Sequence, residues 1–227
     1  MTTISANLQA VRARIAAAAE SAGRPAEAIR LLAVSKTVAP TRLREAVAAG
    51  QLAFGENYVQ EGLAKIEALA GLGLEWHFIG PLQSNKTRPV AERFAWVHGI
   101  DRLKIAERLA EARGTIQPPL QVCIQVNVSG EASKSGVSPG ETAALARAVA
   151  ALPNLRLRGL MAIPEPTEDM ALTRKRFAAL RELREALNRG GLALDTLSMG
   201  MSHDLETAIL EGATIVRVGT AIFGERQ

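Results

Sequence analysis

The chain has 227 residues, of which 48% are hydrophobic, and it contains a single cysteine. One cysteine excludes an intramolecular disulfide framework and any zinc or iron–sulfur site built from several cysteines. The formal net charge is +4, and aromatic residues make up only 4% of the chain. Because Lys and Arg alternate with Glu along the predicted helices, this charge indicates solvated helix faces and argues against nucleic acid as a partner.

The N-terminal segment carries Arg12 and Arg14 within an alanine-rich periodic stretch, which is unlike a secretory signal peptide. No apolar run reaches the roughly 18 residues that a membrane span needs. We therefore expect a cytoplasmic protein without a membrane partner. The sequence contains no repeat, low-complexity tract or linker, so we expect one domain over residues 1–227.

An opening helix is predicted from about Ile4 to Ala22, where apolar residues recur at helical spacing. After Gly23 and Pro25, eight short apolar runs alternate with amphipathic segments. The runs are Leu31–Ser35, Leu52–Phe54, Glu75–Ile79, Ala95–His98, Leu120–Val128, Leu155–Met161, Ala193–Leu197 and Thr214–Val218.

The segments between the runs carry helix start and stop signals. Pro40 suits a first helical turn, and Gly50 suits the end of the same helix. Asp101 suits an N-cap, and Ser138 with Glu141 has the spacing of a capping box.

Continuous apolar strands that alternate with amphipathic helices are typical of a parallel sheet covered by helices. Eight such units in about 200 residues favour a closed TIM-type β/α barrel, preceded by an extra N-terminal helix. The alternative is an open, doubly wound sheet, which usually has fewer strands. The predicted fold class is therefore α/β.

The carboxyl ends of the strands form the working face of a β/α barrel. The candidate residues at or just after the ends of the predicted strands are Lys36, Asn57, His77, Asn127, Met161, Ser202 and Arg217. A lysine at a strand end is commonly a solvated or ion-paired residue. Alternatively, a partly desolvated amine at this place attacks an aldehyde and forms a Schiff base. Lys36 alone leaves both interpretations open.

The loops after the seventh and eighth strands predict an anion site. Gly200-Met201-Ser202 leads into a predicted helix near His203, and Gly219-Thr220 offers further backbone donors. Helix starts bind phosphate readily, and phosphate sites on these two loops recur in barrels. A simpler interpretation makes Ser202 an ordinary N-cap. A site for pyridoxal 5'-phosphate requires an amine that reacts with the aldehyde and a group of donors that bind the phosphate. Lys36 and these two loops supply both, with Arg217 between them.

Motifs spread over residues 31–226 carry a resemblance to a known family. They are Val34-Ser35-Lys36-Thr37, the segment Phe54–Glu61, the segment Trp76–Lys86, Leu160-Met161-Ala162-Ile163-Pro164, Leu197–Ser202 with Asp204, and the segment Val216–Gly224. In order and spacing, the chain resembles the pyridoxal phosphate homeostasis proteins, also called YggS-like proteins.

This resemblance implies a barrel like the N-terminal domain of alanine racemase, with pyridoxal 5'-phosphate as the cofactor. It implies that Lys36 forms the Schiff base and that Arg217 faces the pyridine nitrogen. It further implies that Ser202, Gly219 and Thr220 hold the phosphate, and that Asn57 and Met161 line the ring. The family is thought to buffer and deliver the cofactor without established turnover, so the implied partners are apoenzymes that depend on it.

A guanidinium only donates hydrogen bonds, so Arg217 keeps the ring nitrogen unprotonated and the ring a poorer electron sink. This favours a non-enzymatic role. An amino-acid racemase is the main alternative, and it needs a second base. Since the sequence ends at Gln227 and its one tyrosine is Tyr58, we expect no added β domain and no tyrosine base, which leaves His77 as the substitute. A barrel enzyme acting on a phosphorylated sugar is a third alternative.

The remaining candidates receive simpler interpretations. His98 is predicted to end a strand, His203 to face solvent from a helix, and Cys123 to be a buried apolar residue. Residues 129–136 form a Gly/Ser-rich loop, which is commonly a flexible surface segment. The alternative hypothesis is that Lys134, in this loop, holds the cofactor transiently during loading or release. We expect a monomer.

Overall fold

The computed structural model describes residues 3–130 and 135–225. Its strands are β1 (Arg30–Val34), β2 (Ala53–Glu56), β3 (Glu75–Phe78), β4 (Trp96–Ile100), β5 (Leu120–Gln125), β6 (Leu155–Met161), β7 (Thr196–Ser198) and β8 (Ile215–Val218). Its α-helices are α1 (Ile4–Ser21), α2 (Pro40–Ala48), α3 (Val59–Ala68), α4 (Thr87–Arg93), α5 (Leu103–Arg113), α6 (Pro139–Ala150), α7 (Met170–Arg189), α8 (Leu205–Leu210) and α9 (Thr220–Phe223). Short 3₁₀ turns lie at Ala26–Ala28 and Ser84–Lys86.

The eight strands form a closed parallel barrel in chain order. β1 closes the barrel by pairing with β8, where Arg30 lies opposite Ile215 and Ala33 opposite Val218. Each predicted apolar run overlaps one of these strands, with ends that differ by a few residues, so the predicted barrel is confirmed and the open sheet is wrong. All strands point the same way because a helical segment carries the chain back between them.

The helix signals hold with one exception. α1 buries the predicted stripe that begins with Ile4 and Leu8, Pro40 opens α2, and the capping box of Ser138 with Glu141 is present. Asp101 is not an N-cap, because α5 has Arg102 in that position without a side-chain cap. The Asp101 carboxylate instead pairs with the guanidinium of Arg102.

The buried apolar residues form two clusters, one outside the barrel strands and one inside the barrel. The larger cluster lies between the strands and the surrounding helices. The smaller one fills the barrel and consists of Leu32, Ile79, Trp96, Cys123, Met161 and Ile215. The interior also holds buried polar side chains, which include His77, His98, Ser198 and Arg217.

The close approach of β6 to β7 depends on Gly159, which gives our first prediction. A Cβ added at Gly159 would lie 1.8 Å from the carbonyl oxygen of Thr196. Because both atoms belong to hydrogen-bonded strands, Gly159→Ala must push the strands apart and should lower the free energy of unfolding by roughly 3 kcal/mol or more. Urea unfolding measures this change.

Gly140→Ala is the matched control, since a Cβ at Gly140 in α6 meets nothing within 4 Å. We expect this control to change the free energy of unfolding by no more than about 1 kcal/mol. Equal effects of the two substitutions would contradict the predicted clash at Gly159.

Candidate functional site

A cavity of about 240 Å³ lies at the carboxyl ends of the strands, where β1 and β8 meet. Its lining residues are Val34, Lys36, Val38, Asn57, Ile79, Ile163, Met201, Ser202, His203, Arg217, Gly219, Thr220, Phe223 and Gly224. Wider depressions of about 630 and 790 Å³ lie at the amino ends of the strands. The carboxyl-end cavity brings together six of the seven cofactor-binding residues that the resemblance implies, and Met161 is the exception.

Lys36 reaches the cavity from a turn that directly follows β1. The next residue, Thr37, has a φ of 64°, which is uncommon for a residue that is not glycine. The Thr37 amide donates to the Glu61 carboxylate on α3 at 2.5 Å. α3 therefore fixes the turn that carries Lys36.

A buried ionic cluster around Lys65 also holds the turn that carries Lys36, through the neighbouring Ser35 carbonyl. The Lys65 ammonium donates to the Ser35 carbonyl at 2.5 Å, to Glu56 at 2.8 Å and to Glu61 at 2.6 Å. The Ser35 hydroxyl also donates to Glu56, at 2.6 Å. Burial raises the pKa of Glu56 in spite of these hydrogen bonds. We do not predict this cluster from the sequence, because its members lie on β2, on α3 and after β1 and meet only in the folded chain.

Arg217 enters the cavity from β8, and it is almost fully buried. Its guanidinium donates to the Ser198 hydroxyl at 2.7 Å and to the Ala162 carbonyl at 2.8 Å. Burial lowers the Arg217 pKa to about 10, against the opposing effect of the Asp204 charge. The side chain therefore stays a cation at neutral pH and presents only donors.

Another part of the cavity lining comes from the loops after β7 and β8. The Ser202 hydroxyl accepts a long hydrogen bond of 3.4 Å from the Ala221 amide, which joins the two loops. α8 begins only at Leu205, after Asp204, so the N-cap interpretation of Ser202 is wrong. At Gly219 an added Cβ would lie 3.2 Å from the Val34 carbonyl oxygen. The loop after β8 therefore passes close to the end of β1, and its residues Gly219 and Thr220 line the same cavity as Lys36.

Asn57 lines the cavity and presents an unused acceptor. Within residues 3–130 and 135–225, its buried Oδ1 has no hydrogen-bond partner. Gly80 packs against the Asn57 backbone, where an added Cβ would lie 2.3 Å from the Asn57 carbonyl oxygen. A buried, unpartnered amide oxygen is costly unless a ligand or water supplies a donor.

Met161 is not on the cavity wall. It ends β6 with its side chain fully buried in the interior cluster, and Ile163 is the nearby residue that lines the cavity.

The predictions for His98 and His203 need correction. His98 does not end a strand, because β4 continues to Ile100 and His98 is buried inside the barrel. His203 is exposed as predicted, but it precedes α8 and lies at the rim of the cavity.

The other predicted candidates lie away from the cavity. His77 is fully buried, with its ring nitrogens hydrogen-bonded to His98 and Glu75. Asn127 accepts a hydrogen bond from the Gly130 amide in the loop after β5. Tyr58 is 58% exposed at the start of α3. Lys134 lies outside the described residues.

Cys123 is buried in the barrel, as predicted, and burial raises its thiol pKa to about 12. Among the described parts of the chain, no group of His, Cys, Asp and Glu is arranged to hold a metal ion. None of the helices in residues 3–130 and 135–225 combines the length and apolarity needed to cross a membrane.

Comparison with known proteins assigns the family. The family model for the alanine racemase N-terminal domain matches residues 6–227. The pyridoxal phosphate homeostasis protein of Pseudomonas aeruginosa is 63% identical over 226 residues, which cover 100% of this chain and 97% of that protein.

Solved structures agree in fold. PipY of Synechococcus elongatus, solved with PLP bound, has a TM-score of 0.86 and 37% identity, covering 98% of this chain and 100% of PipY. Alanine racemase from Corynebacterium glutamicum has a TM-score of 0.73 at 21% identity, covering 96% of this chain and 62% of the racemase, which shows the barrel fold alone. The chain therefore belongs to the alanine racemase N-terminal domain family and, within it, to the pyridoxal phosphate homeostasis proteins.

Proposed function

We propose that the chain binds pyridoxal 5'-phosphate at the mouth of its barrel, in a Schiff base with Lys36, and holds the cofactor without catalytic turnover. The observation that carries this proposal is the meeting of Lys36, Arg217 and residues of the loops after β7 and β8 in one cavity. The relative from Pseudomonas aeruginosa is named for pyridoxal phosphate homeostasis, and PipY binds PLP.

The lining residues fit the chemical groups of this cofactor. Lys36 forms a carbon–nitrogen double bond with the aldehyde carbon, and the aldehyde oxygen leaves as water. Ser202, Gly219 and Thr220 hold the phosphate through hydroxyl and amide donors. Arg217 donates to the pyridine nitrogen from β8. The unpartnered Oδ1 of Asn57 supplies an acceptor to a hydroxyl donor of the bound ring.

The same residues disfavour turnover. Bound pyridoxal phosphate supplies an electron sink when its ring nitrogen is protonated. Arg217 stays a cation at neutral pH and keeps that nitrogen in its accepting form. His77, the substitute base considered for a racemase, lies inside the barrel and away from the cavity lining. Binding and storage therefore account for the site better than racemisation.

The visible absorption spectrum with pyridoxal phosphate, before and after borohydride, tests this function. We expect a Schiff-base band that borohydride abolishes, with the reduced label located on the peptide carrying Lys36 by mass spectrometry. A protein that stays colourless, or that is labelled elsewhere, contradicts the proposal. In deuterated water we expect no exchange of the Cα proton across a panel of amino acids, and exchange would favour the racemase.

The phosphate contact gives a separate prediction. Ser202→Ala should weaken binding of pyridoxal phosphate by about tenfold or more, because it removes a hydrogen bond to a charged group. Pyridoxal, which lacks the phosphate, is the control ligand, and its affinity should not change. Titration monitored by absorbance measures both, and an equal loss for both ligands would contradict a phosphate contact.

We infer that apoenzymes requiring pyridoxal phosphate receive the cofactor from this chain, since a Schiff base between Lys36 and the aldehyde is reversible by water. The cytoplasmic location, the monomeric state and a loading role of Lys134 stay predictions from the sequence. Size-exclusion chromatography with light scattering tests the monomer.

A further inference from the structure

A chain of hydrogen bonds crosses the inside of the barrel from the candidate site to the opposite end. It starts at Arg217, whose guanidinium donates to the Ser198 hydroxyl at 2.7 Å. Ser198 is 2.8 Å from Nδ1 of His98. Nε2 of His98 is 2.9 Å from Nδ1 of His77. We call Ser198, His98, His77 and Glu75 the interior chain.

The interior chain ends on a carboxylate at the amino ends of the strands. Nε2 of His77 is 2.6 Å from Oε1 of Glu75, and the same oxygen accepts a hydrogen bond from Arg30. His77, His98 and Ser198 are completely buried, while the Glu75 side chain is 36% exposed. A polar path therefore connects the cavity with the solvent-facing floor of the barrel.

The two ends of the interior chain fix the position of every proton between them. Glu75 only accepts when ionised, so His77 carries its proton on Nε2 and accepts at Nδ1. His98 then carries its proton on Nε2 and accepts at Nδ1 from the Ser198 hydroxyl. Ser198 has a lone pair left for Arg217, which only donates. One proton arrangement therefore satisfies all the groups, with every donor pointing from Arg217 towards Glu75.

The electrostatics require both imidazoles to be neutral in this arrangement. Burial lowers the pKa of His77 in spite of the adjacent Glu75 carboxylate, and burial lowers the pKa of His98 far below its usual range. The aligned dipoles place lone pairs towards the Arg217 cation and protons towards the Glu75 anion. The polar partners that bond Arg217 directly, Ser198 and the Ala162 carbonyl, are uncharged. The aligned hydrogen bonds of the interior chain therefore couple the Glu75 carboxylate electrostatically to the buried Arg217 guanidinium.

We propose that Ser198 and His98 are positioning residues for the cofactor, and that the interior chain, anchored on Glu75, holds Arg217 as a fixed donor to the pyridine nitrogen. This inference rests on the proposed function. Its consequence is that a residue at the floor of the barrel influences the protonation state of a ring bound at the mouth.

The test uses pyridoxal phosphate labelled with ¹⁵N in the ring, bound to the full chain, with the ring ¹⁵N signal as the readout. In wild type we expect the signal of an unprotonated pyridine. His98→Phe should move this signal towards the protonated position and weaken binding by about tenfold. The reason is that His98 no longer orients the Ser198 hydroxyl, which is the acceptor for Arg217. Glu75→Gln, which keeps the shape and removes the charge, should move the signal in the same direction by less.

Cys123→Ala is the matched control, because Cys123 is an equally buried interior residue outside the hydrogen-bonded path. It should leave the ring signal unchanged. Should His98→Phe fail to fold, Glu75→Gln carries the test from its partly exposed position. In the protein without cofactor, ¹⁵N spectra should show both histidines protonated on Nε2 alone.

The outcomes separate the two proposals. Borohydride labelling of Lys36 with ring signals that do not differ between wild type, His98→Phe and Glu75→Gln would overturn the positioning role and leave the proposed function standing. A matching shift in Cys123→Ala would overturn it as well, because the effect would then be general loosening of the interior. Absence of labelling in wild type would overturn both proposals.

Discussion

Replacing Lys36 by alanine is expected to abolish covalent attachment of pyridoxal phosphate completely. The substitution removes the primary amine that Lys36 contributes to the cavity wall, and the other described lining residues include no second lysine that could form the carbon–nitrogen double bond. The phosphate contacts would remain, so weak reversible binding is expected to persist. Borohydride reduction followed by mass spectrometry measures the attachment, and absorbance titration measures the residual affinity.

The fold should survive this substitution. Lys36 lies in a turn after β1, and a residue outside the core contributes little to packing, so the free energy of unfolding should change by less than about 1 kcal/mol. Lys104→Ala is the matched control, because Lys104 is exposed on α5 and away from the cavity. A Lys36→Ala protein that keeps the Schiff-base band would show that another lysine is the ligand.

The second large effect is expected at Lys65, whose ammonium is buried among the Ser35 carbonyl, Glu56 and Glu61. Lys65→Met keeps much of the side-chain volume but removes all three hydrogen bonds. It leaves the buried Glu56 carboxyl without its ionic partner, and such losses cost about 3–5 kcal/mol. Urea unfolding should therefore show a lower free energy of unfolding by about that amount.

The Lys65 substitution should also disturb the cofactor site. Glu61 loses the ammonium that orients it, and Glu61 is the acceptor for the Thr37 amide in the turn beside Lys36. We expect a slower rate of Schiff-base formation in Lys65→Met. Glu67→Ala, an exposed substitution on the same helix, should change neither stability nor rate. A loss of stability below about 1 kcal/mol would show that the buried cluster is not stabilised by its charges.

The sequence was sufficient for the barrel and for most of the site. Continuous apolar runs are typical of strands covered on both sides, and eight of them separated by amphipathic segments favour a closed barrel. Since all carboxyl ends of parallel strands lie at one end of a barrel, the positions of Lys36, Asn57, Ser202, Arg217 and Gly219 at or after the ends of the runs assign them to one face. The structure places these five in a single cavity.

The interior of the barrel could not be predicted in the same way. In a strand that is buried on both sides, polar and apolar residues give no clear alternation, so the sequence did not tell which side chains point inwards. The short apolar run Ala95–His98 predicts a strand that ends at His98, whereas the pairing of Ile100 with Ile124 extends β4 beyond it. The position of Met161 could not be predicted for the same reason. Its side chain points into the barrel at the end of β6, so it does not line the cavity.

The α/β class, the eight strands and the end of the barrel that carries the candidate site can all be predicted from the amino-acid pattern, because each follows from local periodicity and strand direction. The contacts between residues across the barrel can be seen only in the folded chain. Ser198 and His98 are 100 positions apart in the chain, yet they share a hydrogen bond. Such a contact depends on the register and closure of all eight strands, and no local pattern encodes it.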